Sequence, residues 1–161
     1  MISLQLVAVH EAGHCCVSLA LGHHPLSATI ERDGDSLGSY SVRFVPRDGA
    51  DLARDRLLVV LAGPMAQVMY TYGHDRDYTE LVPDSCEGGD YQNVIQLVRI
   101  LHPAGHAAAP AEILDVVRDA SHNVQTILRK PKVWRNVIRL AGALLADRSL
   151  SGEWIRKILA A

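Results

Sequence analysis

The chain lacks the features of several protein classes. It contains only three cysteines in 161 residues, Cys15, Cys16 and Cys86. An odd number with two adjacent positions does not fit a disulfide framework, so a reducing, cytoplasmic environment is expected and the first two are interpreted as core thiols. The formal net charge of −2 gives no electrostatic basis for binding nucleic acid or an anionic membrane surface.

Long hydrophobic runs and targeting signals are also missing. The longest apolar run, residues 57–72, is interrupted by Gly63 and Pro64, and it falls short of the roughly 20 residues that span a bilayer. The first residues lack the basic region of a secretory signal peptide. Hydrophobic residues make up 48% and charged residues 21%, which predicts one globular domain over residues 1–161 with its own core.

One motif stands out within an apolar segment, residues 4–21, that has helical periodicity. The sequence from His10 to His14 is His-Glu-Ala-Gly-His. Histidines four residues apart lie on one face of a helix, where two neutral imidazoles suit zinc. Glu11 is then placed to take a proton from a zinc-bound water, whose pKa falls to about 7. The motif predicts hydrolysis, most often of a peptide bond.

The motif fixes only three residues, and the chain has eight histidines, so a chance match is the competing interpretation. Two observations favour a metal site. Three polar side chains in an apolar helix are costly without partners. Gly13 costs about 1 kcal/mol relative to alanine inside a helix, which indicates close approach of another group.

The remaining periodicity predicts a mainly α (α+β) fold with a small β-hairpin or sheet after the first helix. Ser3 and Gly22 are the expected cap and stop of that first helix. Alternation over residues 39–45 places Tyr40, Val42 and Phe44 on one face. Further helices are predicted at 51–72, from Asp90 onward, and at 110–129, 131–146 and 152–159.

Two features of this predicted fold each allow two interpretations. The hairpin of residues 26–31 and 39–45 either holds a substrate backbone by strand addition or only covers the core. The connection over residues 73–89 is a lid near the metal or a mobile loop. His23 lies about 13 Å along the helix axis from His14, so it and His24 are expected at the surface.

A catalytic zinc usually has three protein ligands and one open position. A third histidine six residues after His14 is absent, because Val17 and Ala20 replace the glycine and histidine of that longer motif. The third ligand must come from downstream, and spacing alone does not choose among the candidates. These are His74, Glu80, Asp84, Glu87, Asp90 and Glu112.

The chain resembles the peptidase domain of the FtsH-type ATP-dependent zinc metalloproteases along nearly its whole length. The motif beginning at His10 is that family's version, and Gly38 resembles the glycine that leads the strand behind its catalytic helix. The segments 61–66 and 144–159 resemble the family's Ala-Gly helix and its closing segment. In that family an aspartate opening a later helix is the third zinc ligand, a role that the resemblance gives to Asp90.

The chain departs from the family at several positions. Gln67 replaces a glutamate, Pro64 replaces a basic residue, and Gly89 replaces the asparagine of an Asn-Asp pair. No Gly-x-x-x-x-Gly-Lys-Ser/Thr sequence occurs, so these residues are expected to lack the family's ATPase domain. They are also expected to lack its membrane segments, because no apolar run is long enough to span a bilayer. The chain is expected to be either a stand-alone relative or a fragment.

These observations together predict a zinc metalloendopeptidase that cleaves unfolded polypeptides. His10, His14 and Asp90 are the expected Zn²⁺ ligands, and Glu11 is the expected general base. The resemblance implies a separate ATPase partner or a homo-oligomer, since the family forms hexamers. The alternatives are a zinc-binding but catalytically silent module that recruits partners, and a metal-free helical domain whose histidines are incidental.

Overall fold

The computed structural model describes residues 3–34, 36–81 and 88–160. Within these ranges the fold is mainly helical, with six α-helices and one three-stranded antiparallel sheet. The predicted fold class is therefore confirmed. The α-helices and strands in chain order are α1 (Leu4–Ala20), β1 (His24–Asp33), β2 (Ser36–Arg43), α2 (Gly49–Tyr72), α3 (Gly88–Leu101), α4 (Pro110–Leu128), α5 (Pro131–Asp147), β3 (Ser149–Ser151) and α6 (Gly152–Ala160), and a single 3₁₀ turn (Gly105–Ala107) lies between α3 and α4.

Helix α1 lies at the centre of the fold. The Ser3 side chain caps it by accepting a hydrogen bond from the Leu6 amide at 3.2 Å, as the sequence predicts. Residues 11–18 are all buried, because α2, α5 and the sheet surround the helix. A helix that is apolar on every side is buried inside the fold. Any polar residue on α1 therefore needs a partner from another element.

The sheet has the strand order β2-β1-β3, so β2 lies at one edge. Strands β1 and β2 form the predicted hairpin, with Ala28 opposite Tyr40. Tyr40 is half-buried, whereas the flanking residues Ser39 and Ser41 are exposed, which confirms the predicted alternation. Because β1 and β2 both pack on α1, the buried face of the hairpin lies against the helix that carries the motif.

Helices α1 and α2 cross at small residues. A Cβ added to Gly13 would lie 2.6 Å from the Ala62 carbonyl oxygen and 2.8 Å from the Ala66 Cβ. Helix α2 continues through Gly63 and Pro64 without interruption, and Gly63 lies so close to α1 that a Cβ there would be 2.6 Å from His10 Nε2. The short distance between the helix axes brings the motif's imidazoles against the backbone of α2.

The predicted surface position of His23 is wrong, since only 1% of the residue is exposed. Its Nδ1 accepts a hydrogen bond from the Val45 amide at 3.1 Å, and its Nε2 donates to Asp55 Oδ2 at 2.9 Å. Arg47 pairs with the same carboxylate oxygen at 2.9 Å. The imidazole can be buried because Asp55, on α2 and 32 residues away, supplies its partner. His24 is partly exposed at the start of β1.

The described part of the connection after α2 is attached to α4. Gln125 of α4 accepts a hydrogen bond from the Tyr78 amide at 3.3 Å and donates one to the Arg76 carbonyl at 2.6 Å. Tyr78 is 2% exposed, and its hydroxyl donates to the Gly73 carbonyl at 2.9 Å. Residues 73–81 are therefore attached to the helical core through Tyr78 and Arg76, although most of them are exposed. Of the rest of the predicted lid or mobile loop, residues 82–87 lie outside the described residues and residues 88–89 belong to α3.

Two further predictions concern the cysteines and the membrane. Cys15 and Cys16 are buried in the core as expected, and burial raises the pKa of the Cys16 thiol to about 12. Cys86 lies outside the described residues. None of the helices in the described ranges has the length and hydrophobicity needed to cross a membrane.

Candidate metal centre

The structure brings the three predicted metal ligands together. His10 and His14 project from α1, and Asp90 lies in the first turn of α3. Asp90 Oδ2 is 3.0 Å from His10 Nε2 and 3.7 Å from His14 Nε2, and the three ligand atoms all lie within 4.8 Å of one another. No other group of three or more histidine, cysteine, aspartate or glutamate residues within the described ranges has metal-binding spacing.

The His14 side chain is completely buried, and its orientation is fixed by α2. Its Nδ1 lies 2.6 Å from the Val59 carbonyl oxygen. A carbonyl can only accept, so Nδ1 carries the proton and Nε2 is left with a bare lone pair. That Nε2 is buried without a hydrogen-bond partner among the described residues. An unpaired buried acceptor has a free-energy cost that a cation at this position would remove.

The orientation of His10 is fixed by Gln67. The Gln67 amide nitrogen donates to the Leu6 carbonyl at 3.2 Å, so its Oε1 faces His10 Nδ1 at 3.1 Å. Nδ1 therefore donates to Gln67, while Nε2 faces the Asp90 carboxylate. A neutral imidazole has only one N–H, so acceptors at both nitrogens require either a protonated ring or a cation at Nε2.

This donor set fits a zinc ion. Two imidazole nitrogens and one carboxylate oxygen are three of the ligands that zinc takes in catalytic sites. Tetrahedral bonds of about 2.1 Å place ligand atoms roughly 3.4 Å apart, and the distances from Asp90 Oδ2 to the two imidazoles are 3.0 and 3.7 Å. Each imidazole also donates its other N–H to a protein oxygen, as metal-binding histidines usually do.

Glu11 lies beside this set in a slot formed by β2. The residue is 3% exposed, and its Oε2 has no hydrogen-bond partner among the described residues. A Cβ on Gly38 would lie 2.6 Å from Glu11 Oε1 and 2.8 Å from Val7 Cγ1. Gly38 also has a φ of +85°, a conformation that other residues adopt only with strain. Gly38, the third residue of β2, thus allows the strand to approach the carboxylate.

Burial and neighbouring charges shift the pKa values of the side chains in the centre. Burial raises the pKa of Glu11 to about 7, with a further contribution from Asp90 and an opposing one from His10. Burial lowers the pKa of His14 to about 3. Burial would also lower the pKa of His10, but its hydrogen bond to Asp90 and the nearby carboxylates raise it overall. Asp90 is half-buried, yet the two histidines hold its pKa below its usual value.

The other candidates for the third ligand that can be located are used elsewhere. The His74 ring contacts Trp134 edge to face, with 4.2 Å between centroids. Glu80 pairs with Arg118 at 2.9 Å. Glu112 accepts a hydrogen bond from the Ala109 amide at 2.7 Å and so caps α4. The remaining candidates, Asp84 and Glu87, lie outside the described residues.

Two residues of the centre were not predicted from the sequence. The sequence drew attention to Gln67 only because it replaces a glutamate of the FtsH-type family, and this gave it no role in the centre. Tyr40 is visible only as one member of an alternating strand, yet its ring stacks on His14 with 3.9 Å between centroids and 16° between planes. Burial and the charges of Asp90 and Glu11 raise the Tyr40 pKa above its usual value. Its position on the inner face of β2 was the only feature of the sequence that could have indicated a place in the centre.

Replacing Gln67 with alanine tests the orientation of His10. We expect Gln67→Ala to weaken zinc binding about 10- to 100-fold, because loss of a residue that orients a ligand typically costs that much. Gln67→Glu should lose less affinity than Gln67→Ala, since a carboxylate still accepts the His10 Nδ1 proton although it no longer donates to the Leu6 carbonyl. Competition with a chromophoric chelator measures both variants, and equal affinities for Gln67→Ala and the wild type would contradict the assignment.

No protein-family model matches the chain, and no match is found among curated proteins. The resemblance to FtsH-type proteases therefore stays a prediction that depends on the residues quoted above. The geometry of the centre depends on none of that resemblance.

Proposed function

We propose that the protein is a zinc-dependent endopeptidase that hydrolyses peptide bonds of unfolded polypeptides. The observation that carries the proposal is the buried His14 Nε2, which has no hydrogen-bond partner in the described ranges and faces the carboxylate that also contacts His10. A structural histidine pair would be expected to satisfy both ring nitrogens. A ring nitrogen left without a partner beside a carboxylate favours a cation at that position.

Each residue of the centre has a role in the proposed reaction. His10, His14 and Asp90 would hold zinc, which when bound would polarise the scissile carbonyl and make hydroxide available near neutral pH. Glu11 takes a proton from the attacking water as the water oxygen bonds to the carbonyl carbon. When the C–N bond breaks, Glu11 delivers that proton to the leaving amine, so protons balance over the cycle.

The position of β2 favours an extended substrate. Among the described strands β2 lies at the sheet edge, and its residues Gly38 and Tyr40 contact Glu11 and His14. An unfolded polypeptide can add to such an edge through main-chain hydrogen bonds. These 161 residues contain no phosphate-binding ATPase motif, so a folded substrate would need an unfolding activity that they do not supply.

Cleavage of casein by chelator-treated and zinc-restored protein tests the proposal. We expect loss of cleavage on chelation and recovery with one equivalent of zinc, whereas magnesium should not restore it because it prefers oxygen ligands. One bound zinc without cleavage would favour the catalytically silent, partner-recruiting module. Failure to bind zinc at micromolar concentration would favour the metal-free domain, in which the histidines are incidental.

A further inference from the structure

Tyr40 covers one of the candidate metal ligands. Its ring and the His14 imidazole are nearly parallel, with 16° between planes and 3.9 Å between centroids. Tyr40 follows Gly38 by two residues on β2, and Gly38 contacts the Glu11 carboxylate. The same face of one edge strand therefore reaches both the candidate base and a candidate ligand.

Tyr40 carries a hydroxyl in addition to the ring that stacks on His14. The residue is half-buried, and its hydroxyl has no hydrogen-bond partner among the described residues. Asp90, which faces Nε2 of His14, acts electrostatically on this hydroxyl, as does Glu11. The phenol is therefore within electrostatic reach of the carboxylates at the centre. A phenol at neutral pH is a hydrogen-bond donor.

We propose that the Tyr40 hydroxyl donates a hydrogen bond to the carbonyl oxygen of the scissile peptide while its ring holds the His14 imidazole in place. The inference rests on the proposed endopeptidase function. The carbonyl oxygen gains negative charge as water attacks, and a preorganised donor in a partly buried site stabilises that charge. Since the strand that binds the substrate backbone also carries Tyr40, docking of the peptide places its carbonyl beside this donor.

Two substitutions separate the hydroxyl from the ring. Tyr40→Phe removes only the hydroxyl, whereas Tyr40→Leu also removes the stacked ring. Tyr72→Phe is a matched control, because Tyr72 is 63% exposed. Each variant is measured for zinc affinity, for kcat and KM on a peptide substrate, and for binding of a phosphinic peptide, whose tetrahedral phosphorus oxygens imitate the attacked carbonyl.

We expect Tyr40→Phe to bind zinc as the wild type does and to lower kcat about 100-fold with little change in KM. Its affinity for the phosphinic peptide should fall about tenfold or more, because a hydrogen bond to a charged oxygen is lost. Tyr40→Leu should in addition weaken zinc binding, and Tyr72→Phe should change none of these quantities.

The outcomes separate this inference from the proposed function. If the wild type cleaves peptides and Tyr40→Phe cleaves them equally well, the inference is overturned and the proposed function stands. If the wild type shows no turnover but Tyr40→Phe weakens phosphinic peptide binding, the hydroxyl contact is supported and the endopeptidase function fails. A loss of zinc affinity in Tyr40→Phe as large as that in Tyr40→Leu, or no phosphinic peptide binding by the wild type, would overturn the inference.

Discussion

Glu11→Gln is expected to abolish cleavage while leaving the metal content unchanged. The amide cannot accept and return a proton, and loss of a general base typically lowers turnover about 10²- to 10⁴-fold. Glu11 is not a member of the group that could hold the metal, so the variant should still bind one zinc. Casein cleavage and zinc analysis on the same preparations measure the two properties together.

Glu153→Gln is the matched control for this experiment. Glu153 is exposed on α6, where its side chain pairs with Lys157 at 3.8 Å, so the same chemical change should leave both cleavage and zinc content unaffected. Two results would count against the role of Glu11. One is cleavage by Glu11→Gln at the wild-type rate, and the other is loss of zinc along with activity.

Gly63→Ala is expected to destroy the metal centre through a single methyl group. A Cβ at this position would lie 2.6 Å from His10 Nε2 and closer still to His14 Nε2. These are the two nitrogens that would bind the metal, so both imidazoles must move. Zinc affinity should fall about 100-fold or more, beyond the usual effect of losing an orienting residue, and competition with a chelator measures this change.

Gly142→Ala separates the steric effect from the effect of alanine in a helix. Gly142 lies within α5, and a Cβ there meets no atom within 4 Å. We expect this variant to bind zinc normally and to gain about 1 kcal/mol in the free energy of unfolding from helix propensity, as thermal unfolding can measure. Wild-type zinc affinity in Gly63→Ala would mean that the imidazoles do not occupy the ligand positions.

Much of the fold was predictable because the helices have strong periodicity and recognisable ends. Ser3 caps α1 and Pro110 begins α4 as predicted. Strand β3 was not predicted, because three residues, Ser149–Ser151, are too few for a pattern and pair only where β1 is already in place. Strand β1 was predicted too short, at residues 26–31 instead of His24–Asp33, and β2 was predicted to begin later and to end later than it does, at residues 39–45 instead of Ser36–Arg43.

Only the part of the centre that is formed by residues close together in the sequence could be predicted from residue spacing. The spacing of His10 and His14 places both imidazoles on one helix face, but the side chains from other elements depend on tertiary packing. Asp90 was assigned by resemblance and is 80 residues from His10. The partnership of His23 with Asp55 and the stacking of Tyr40 on His14 arise only once α2 and β2 pack against α1.

The contact between His10 and Asp90 connects two helices that are far apart in the sequence. Helix α3 packs on α2 and α4, and this contact ties its first turn to α1 across 80 positions of the sequence. A ligand that binds both side chains acts as a crosslink, and its binding free energy opposes local opening of α3. Occupancy of the centre and the rigidity of the third helix are therefore linked thermodynamic quantities.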